Sequence, residues 1–179
     1  MAESFVNSIT RAVGVVTSSS AGAVGVQTNL ITGITTTNVT VGDIVDNSNY
    51  IAGTKVSSIG VNSTTVDRDS TNTTAATSQT VKYLGLTTAY TSASGVKSII
   101  IGGTFANNTE SEVNLTVHLY DDSADLTPAI VSKIPVPNGS SFVLSDTGKT
   151  VLEGLDAIRV YCDTANAVDV QLGILKGVS

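Results

Sequence analysis

Ile134-Pro135-Val136-Pro137-Asn138-Gly139-Ser140-Ser141-Phe142-Val143-Leu144 opens the stretch that decides the fold, and two further runs complete it. One is Val151-Leu152-Glu153-Gly154-Leu155-Asp156-Ala157-Ile158-Arg159-Val160-Tyr161; the other is Val168-Asp169-Val170-Gln171-Leu172-Gly173-Ile174-Leu175. Prolines and Asn138-Gly139 punctuate the entry and Glu153-Gly154 marks a turn, because these residues supply the backbone angles that tight turns need. Ile158, Val160 and Cys162 alternate with Arg159 and Tyr161, and Val168, Val170, Leu172 and Ile174 alternate with Asp169, Gln171 and Gly173. A period of two places each set on one face of a pleated strand. Kept up on both sides of the turn at 163–166, it predicts two neighbouring antiparallel strands, each with one buried face. Ile158, Val160, Val170 and Leu172 are the expected core residues. No reactive constellation interrupts this ribbon, which reads as scaffold.

Working outward, the rest of the 179-residue chain has the length of one domain or two small ones. Only 13% of its residues are charged, about half the roughly 25% of ordinary domains. Ser and Thr make up about a quarter of it, and a surface kept soluble by hydroxyls and amides suits sheets, where Thr and Val fit better than in helices. Little charge also means little to desolvate when subunits meet.

Residues 4–16 read as an opening strand, with a short helix over 3–10 as the alternative, and Thr17-Ser18-Ser19-Ser20-Ala21-Gly22 reads as a turn or loop. Residues 26–34 and 40–45 are candidate strands, 64–67 is a shorter one, and 69–78 is polar enough to be a surface loop. Further strands are expected at 79–84, 96–101, 112–120 and 129–134, with 85–95 rich in turns. In 112–120 the alternation is regular, Val113, Leu115, Val117 and Leu119 against Asn114, Thr116, His118 and Tyr120. About seven one-sided strands over 79–175 are most simply buried as two stacked antiparallel sheets. The expected fold is therefore all-β: an antiparallel, jelly-roll-like β-sandwich over 79–179, preceded by a segment with a small β-rich module over 1–78.

The chemistry-bearing residues are few. His118 is the single histidine; it lies on the polar phase of its strand and is expected at the surface or an interface, with no Gly-X-Ser-X-Gly elbow to support a triad. Cys162 is the single cysteine, which excludes an internal disulfide and a cysteine metal site, and its phase predicts a buried thiol. Asp121, Asp122 and Asp125 offer oxygens to calcium but lack the twelve-residue loop with its closing glutamate, so they read as a solvated turn. Asp43 with Asp46, and Asp67 with Asp69, read as acidic turns or rims of a subunit contact. Gly102-Gly103 runs into Thr104-Phe105, not into the Lys-Ser/Thr of a phosphate loop. No catalytic, cofactor or metal residue is assigned, no cofactor is expected, and the chain is not expected to be an enzyme. Phe142 belongs to the core, while Tyr50, Tyr83, Tyr90, Tyr120 and Tyr161 suit half-buried or interface positions. A net charge of −6 with scattered Lys and Arg speaks against nucleic acid. Gln27, Asn29 and many threonines break the uncharged stretch 12–42 as a membrane span. No signal-peptide pattern opens the chain.

On these residues the chain resembles small structural proteins of tailed bacteriophages, above all those infecting cyanobacteria. The matching motifs are the Ile-Pro-X-Pro-X-Gly-Ser-Ser turn at 134–141, the Val-Leu-Glu-X-X-Asp turn at 151–156 and Val-Asp-Val at 168–170. Residues 40–65 look like inserts of phage surface proteins, with Val41-Gly42-Asp43 and Gly53-Thr54-Lys55-Val56 turns. The resemblance implies a non-enzymatic virion subunit, in capsid decoration, neck or tail. It would be a homo-oligomer with other virion proteins as partners, and its symmetry a trimer or higher ring. Residues 1–78 would dock, with 26–34 or Phe5-Val6 lying against a neighbour by strand addition; the opposite assignment makes them an exposed tip. The alternative is a host-surface glycan bound by loops 47–50 and 69–78, for which a chain without Trp is poorly supplied with aromatic platforms.

Overall fold

The structure, a computed structural model, describes residues 3–144 and 149–178. Among them are β1 (Ser4–Thr10), β2 (Val16–Val24), β3 (Leu30–Thr32), β4 (Ile44–Asp46), β5 (Val56–Gly60), β6 (Ser63–Val66), β7 (Ala76–Leu84) and β8 (Thr87–Thr91). They are followed by β9 (Lys97–Asn107), β10 (Val113–Tyr120), β11 (Ala129–Val136), β12 (Ser141–Leu144), β13 (Thr150–Leu152), β14 (Ala157–Cys162) and β15 (Val168–Val178). The protein is all-β, and its strands form three antiparallel sheets.

Two compact units divide the chain: a main unit of Met1–Gly14 with Thr87–Ser179, and an inserted unit of Val15–Leu86. This differs from the expected division into 1–78 and 79–179. The polar run 69–78, expected as a surface loop, is a loop only as far as 75; its last three residues open β7, which spans the expected boundary and is an inner strand of the inserted unit's sheet. Conversely, β1 pairs with β15 along its whole length, Ser4 opposite Lys176 through Thr10 opposite Val170. A pairing across more than 160 residues leaves no local mark in composition.

The main unit contains a five-stranded sheet, β1-β15-β9-β12 with β13 also on β9, and a four-stranded sheet, β11-β10-β14-β8. Both sheets line one core: Phe105, Leu152, Val170, Leu172 and Ile174 come from the first, Leu115, Val117, Ile158, Val160 and Cys162 from the second. Ile158, Val160, Val170 and Leu172 are all essentially inaccessible, as the alternation predicts. The expected pairing of the two ribbon strands is corrected: β14 pairs with β10 and β8, and β15 with β1 and β9. The turn at 163–166 carries the chain from one sheet to the other. A one-faced strand buries its apolar side equally well beside its neighbour or across the core from it, so alternation does not distinguish the two.

Asp156, the last residue of the Val-Leu-Glu-X-X-Asp turn, gathers three turns of this unit. Its carboxylate accepts from the backbone N–H of Asp122 (3.0 Å) and of Glu153 (2.9 Å), and its carbonyl accepts from Ser92 N–H (2.8 Å). Several strand limits also differ from the expected ones. Residues 17–22, read as a loop, are the middle of β2; β8 occupies the turn-rich 85–95; and β9 runs on through Gly102-Gly103 to Asn107. Ser and Gly are weak strand formers, and registered pairing overrides that preference, with β7 for β2, with β14 for β8, and with β15 and β12 on either side of β9.

The inserted unit has one sheet, in the order β4-β7-β2-β3-β6-β5, and an isolated bridge between Ile44 and Lys55 links its outer strands. Its own core holds Val24, Ile31, Val45, Val56, Val66, Val81, Tyr50 and Tyr83. Tyr83 hydrogen-bonds Thr64 at 2.9 Å, and Tyr50 donates to Thr28 O at 3.1 Å. Burial, with the nearby Tyr83 and Asp69, pushes the Tyr50 phenol up to about 12, and burial raises Tyr83 as well. The unfolded chain releases these protons near pH 10, whereas the folded chain holds them above it, so stability falls as pH rises past 10. The urea midpoint of the inserted unit is expected to hold up to about pH 10 and to decline from there towards 12. Tyr50→Phe should flatten that decline, and an unchanged slope would refute the assignment.

Candidate functional site

The five-stranded sheet turns one face to the core and the other outward, and the strand registers arrange the outer face in rows. Phe5, Leu175, Ile99 and Val151 stand opposite one another across four strands. Next come Asn7, Gly173 and Gly102, with Ile101 bulging beside them. The third row is Ile9, Gln171, Thr104 and Val143. Phe5 is 77% exposed and Ile9 71%, with Ile101, Val143 and Val151 at 44%, 54% and 51%. Among the described residues none of those paired into these three rows is ionisable, and exposed Lys149 stands at the margin, two residues before Val151 on the same phase. At strand spacings of about 4.8 Å and a rise of about 3.4 Å per residue they cover on the order of 300–400 Å². The apolar side chains within that area are comparable to the largest apolar patch of an ordinary monomer, which is often a functional surface.

Two ion pairs stand at the margins. Arg11 meets Asp169 at 3.4 Å beyond the third row, and Lys97 meets Glu153 at 3.0 Å beyond the first. The Asp169 carboxyl is held below its usual range, chiefly by the Ala12 N–H it accepts (2.9 Å) and also by Arg11. An apolar centre inside a polar, charged rim is the anatomy of a protein–protein contact. The glycines shape the centre. A Cβ on Gly173 or Gly102 would meet nothing closer than 3.4 Å; the fold itself therefore tolerates side chains there, and their absence leaves a trough between the first and third rows.

A polar cleft of about 470 Å³ adjoins the same sheet, lined by Thr104, Asn108, Thr109, Glu110, Asn138 and Ser141 among others. Beneath it Asn107 is buried and fully engaged. Its amide donates to Ser111 O, Val136 O and Pro137 O, and its Oδ1 accepts from Thr109 N–H and Oγ1. Asn107 thus ties the β9–β10 and β11–β12 turns together and builds the cleft floor.

The residues weighed from sequence are dispersed. His118 lies on the outer phase of β10 as read, yet it is only 5% exposed and packs edge-to-face on Tyr161 at 5.4 Å. Its expected surface position is corrected to a buried one. Cys162 is buried, donates to Thr164 O at 2.8 Å, and its thiol is pushed up by burial. Asp121 accepts from Ser123 Oγ and Ala124 N–H, which close the turn and lower its carboxyl. Asp43 accepts from Thr40 twice at 2.8 Å and Asp67 from Lys55 N–H at 2.8 Å, again as turn ties. Among the described residues no three His, Cys, Asp or Glu side chains stand together to hold a metal. Loops 47–50 and 69–78 do meet, Thr71 N–H donating to Asn49 O at 2.8 Å, but Tyr50 is buried there and offers no platform. The outer rows escaped the sequence reading, although Phe5, Ile9, Val143 and Val151 are apolar residues on the outward phase of strands. Comparison of the chain with protein-family models, curated proteins and solved structures finds no match.

Proposed function

We infer that the protein is a repeated, non-enzymatic structural subunit of a tailed-phage virion, placed as capsid decoration or in the neck or tail. The observation that carries this reading is the outer face of the five-stranded sheet, where exposed Phe5, Ile9, Ile101, Val143 and Val151 stand among uncharged polar residues, with the ion pairs Arg11–Asp169 and Lys97–Glu153 at its rim. Left in water, such a face is a liability; covered by a neighbouring subunit, it contributes about 25 cal/mol for each Å² buried. The phage-like motifs at 134–141, 151–156 and 168–170 supply the virion, and they fall on turns and strands of the same unit.

The main unit reads further as a jelly-roll sandwich. Its strand orders, β1-β15-β9-β12 and β8-β14-β10-β11, are those of two nested Greek keys, and the β10–β11 connection stays within one sheet while most others cross. Jelly rolls serve as capsid and as lectin domains, so the fold suits both readings considered for this chain. The inserted unit then sits in the connection between the first two strands of the roll. Docking is assigned to the main unit's sheet, which includes β1, rather than to the first 78 residues as a block.

Mass spectrometry of purified particles tests the reading, with the protein expected among the virion components. Phe5→Asp with Ile9→Asp is expected to fold and to lose incorporation, because both side chains are exposed in the monomer. Absence of the protein from particles would sink the proposal. The polar cleft favours a second reading, a host-surface glycan. Chemical-shift changes confined to Asn108, Thr109 and Glu110 on titration with host lipopolysaccharide glycan would support it.

A further inference from the structure

Among the described residues, every free sheet edge in the main unit except one carries a device that discourages pairing. β11 holds Pro135, a Lys133 at φ 50° and two register shifts against β10. β8 has five residues and a register shift in its pairing with β14, and its Ala89 carbonyl is capped by the hydroxyls of Ser8 (2.8 Å) and Thr10 (3.3 Å). The edge beside β9 is shared by two short strands, β12 and β13, of four and three residues. β1 has none of these. Its seven residues, Ser-Phe-Val-Asn-Ser-Ile-Thr, contain no charge and no proline, and its register with β15 is unbroken. Proteins that must stay apart blunt such edges; a long, regular, uncharged one is a template for another strand.

We propose that β1 pairs antiparallel with β1 of a second copy about a two-fold axis, joining the two five-stranded sheets into one. The chemistry selects the partner. An antiparallel edge is self-complementary under a two-fold, and the sequence of β1 has a centre. With Asn7 opposite Asn7 of the second copy, Phe5 of each copy stands opposite Ile9 of the other, on the outer face. Two apolar cross-strand pairs then flank a side-chain amide pair, and such facing pairs are what stabilises a sheet. The register also runs the first row of one copy, through Phe5, into the third row of the next, through Ile9, extending the outer face across both copies. This deepens the proposed structural role by naming the first partner as the chain itself, and it rests on that role only for its biological setting.

Single cysteines introduced into the full-length chain test the register, since the native Cys162 is buried. Facing residues of an antiparallel pair lie about 4.5–5.5 Å apart between Cα atoms, within disulfide range. Asn7→Cys therefore places two thiols face to face, whereas the copies of Ile9→Cys lie about 14 Å apart, four residues out of register. Under mild oxidation Asn7→Cys should form covalent dimers roughly tenfold or more faster than Ile9→Cys, because a facing pair holds its thiols at millimolar effective concentration. Asn7→Lys, which opposes two ammonium groups, should lower the self-association measured by sedimentation. Equal cross-linking rates, with Cys162 still unreactive as a sign of an intact fold, would overturn the pairing. Cross-linking by a protein missing from particles would leave the pairing standing and remove the virion reading; the reverse pattern would remove the pairing alone.

Discussion

Leu172→Asp is expected to abolish folding of the main unit. Leu172 is inaccessible in a core that includes Phe105, Leu115 and Ile158, and its Cδ2 lies only 2.6 Å from where a Cβ on Gly103 would stand. Trimming such a side chain costs about 2–5 kcal/mol in lost packing. Burying a carboxylate with no partner adds several kcal/mol more, against a total stability of about 5–15 kcal/mol. Gln171→Asp makes the matched control: one residue away, exposed and on the outer phase, it should change stability by no more than about 0.5 kcal/mol. Chemical unfolding followed by fluorescence or circular dichroism distinguishes the two variants. A soluble Leu172→Asp protein that unfolds cooperatively would show that the strand phase is wrong.

The second large effect separates the units. Deleting Val15–Leu86 and joining Gly14 to Thr87 should give a folded main unit, because Gly14 N–H already donates to Thr87 Oγ1 at 2.7 Å. The fragment 79–179 should not fold. It lacks β1, which covers β15 over seven registered pairs, and Val13, which is inaccessible in the main core; it also keeps most of β7, stripped of its partners β2 and β4. By the same reasoning residues 15–86 should fold alone: they hold their own core, and Gly85 N–H donates to Val15 O at 2.7 Å, so the ends meet. Dispersed amide resonances from the joined protein, and aggregation or poor dispersion from 79–179, are the expected results. A well-folded 79–179 would refute the division of the chain.

By itself the sequence determined the class and the phase of the strands. Period-two alternation in 112–120, 155–162 and 168–175 put Val117, Ile158, Val160, Val170 and Leu172 inside, since a pleat sends successive side chains to opposite faces whatever lies beside it. The same rule placed Cys162 in the core. The motif ending in Asp156 was visible as a turn, though not as the point where three turns are tied. Only the tertiary structure decided which strands pair. β14 and β15 adjoin in the chain yet lie in different sheets, and β1 finds β15 across the length of the protein. The physical reason is that alternation records a buried face and nothing about neighbours, while hydrogen-bonded pairing uses backbone groups that every residue carries. The candidate surface was hidden for the same cause. Phe5, Ile99, Val151 and Leu175 are unremarkable one by one, and become a row only when registers set at long range bring four strands side by side.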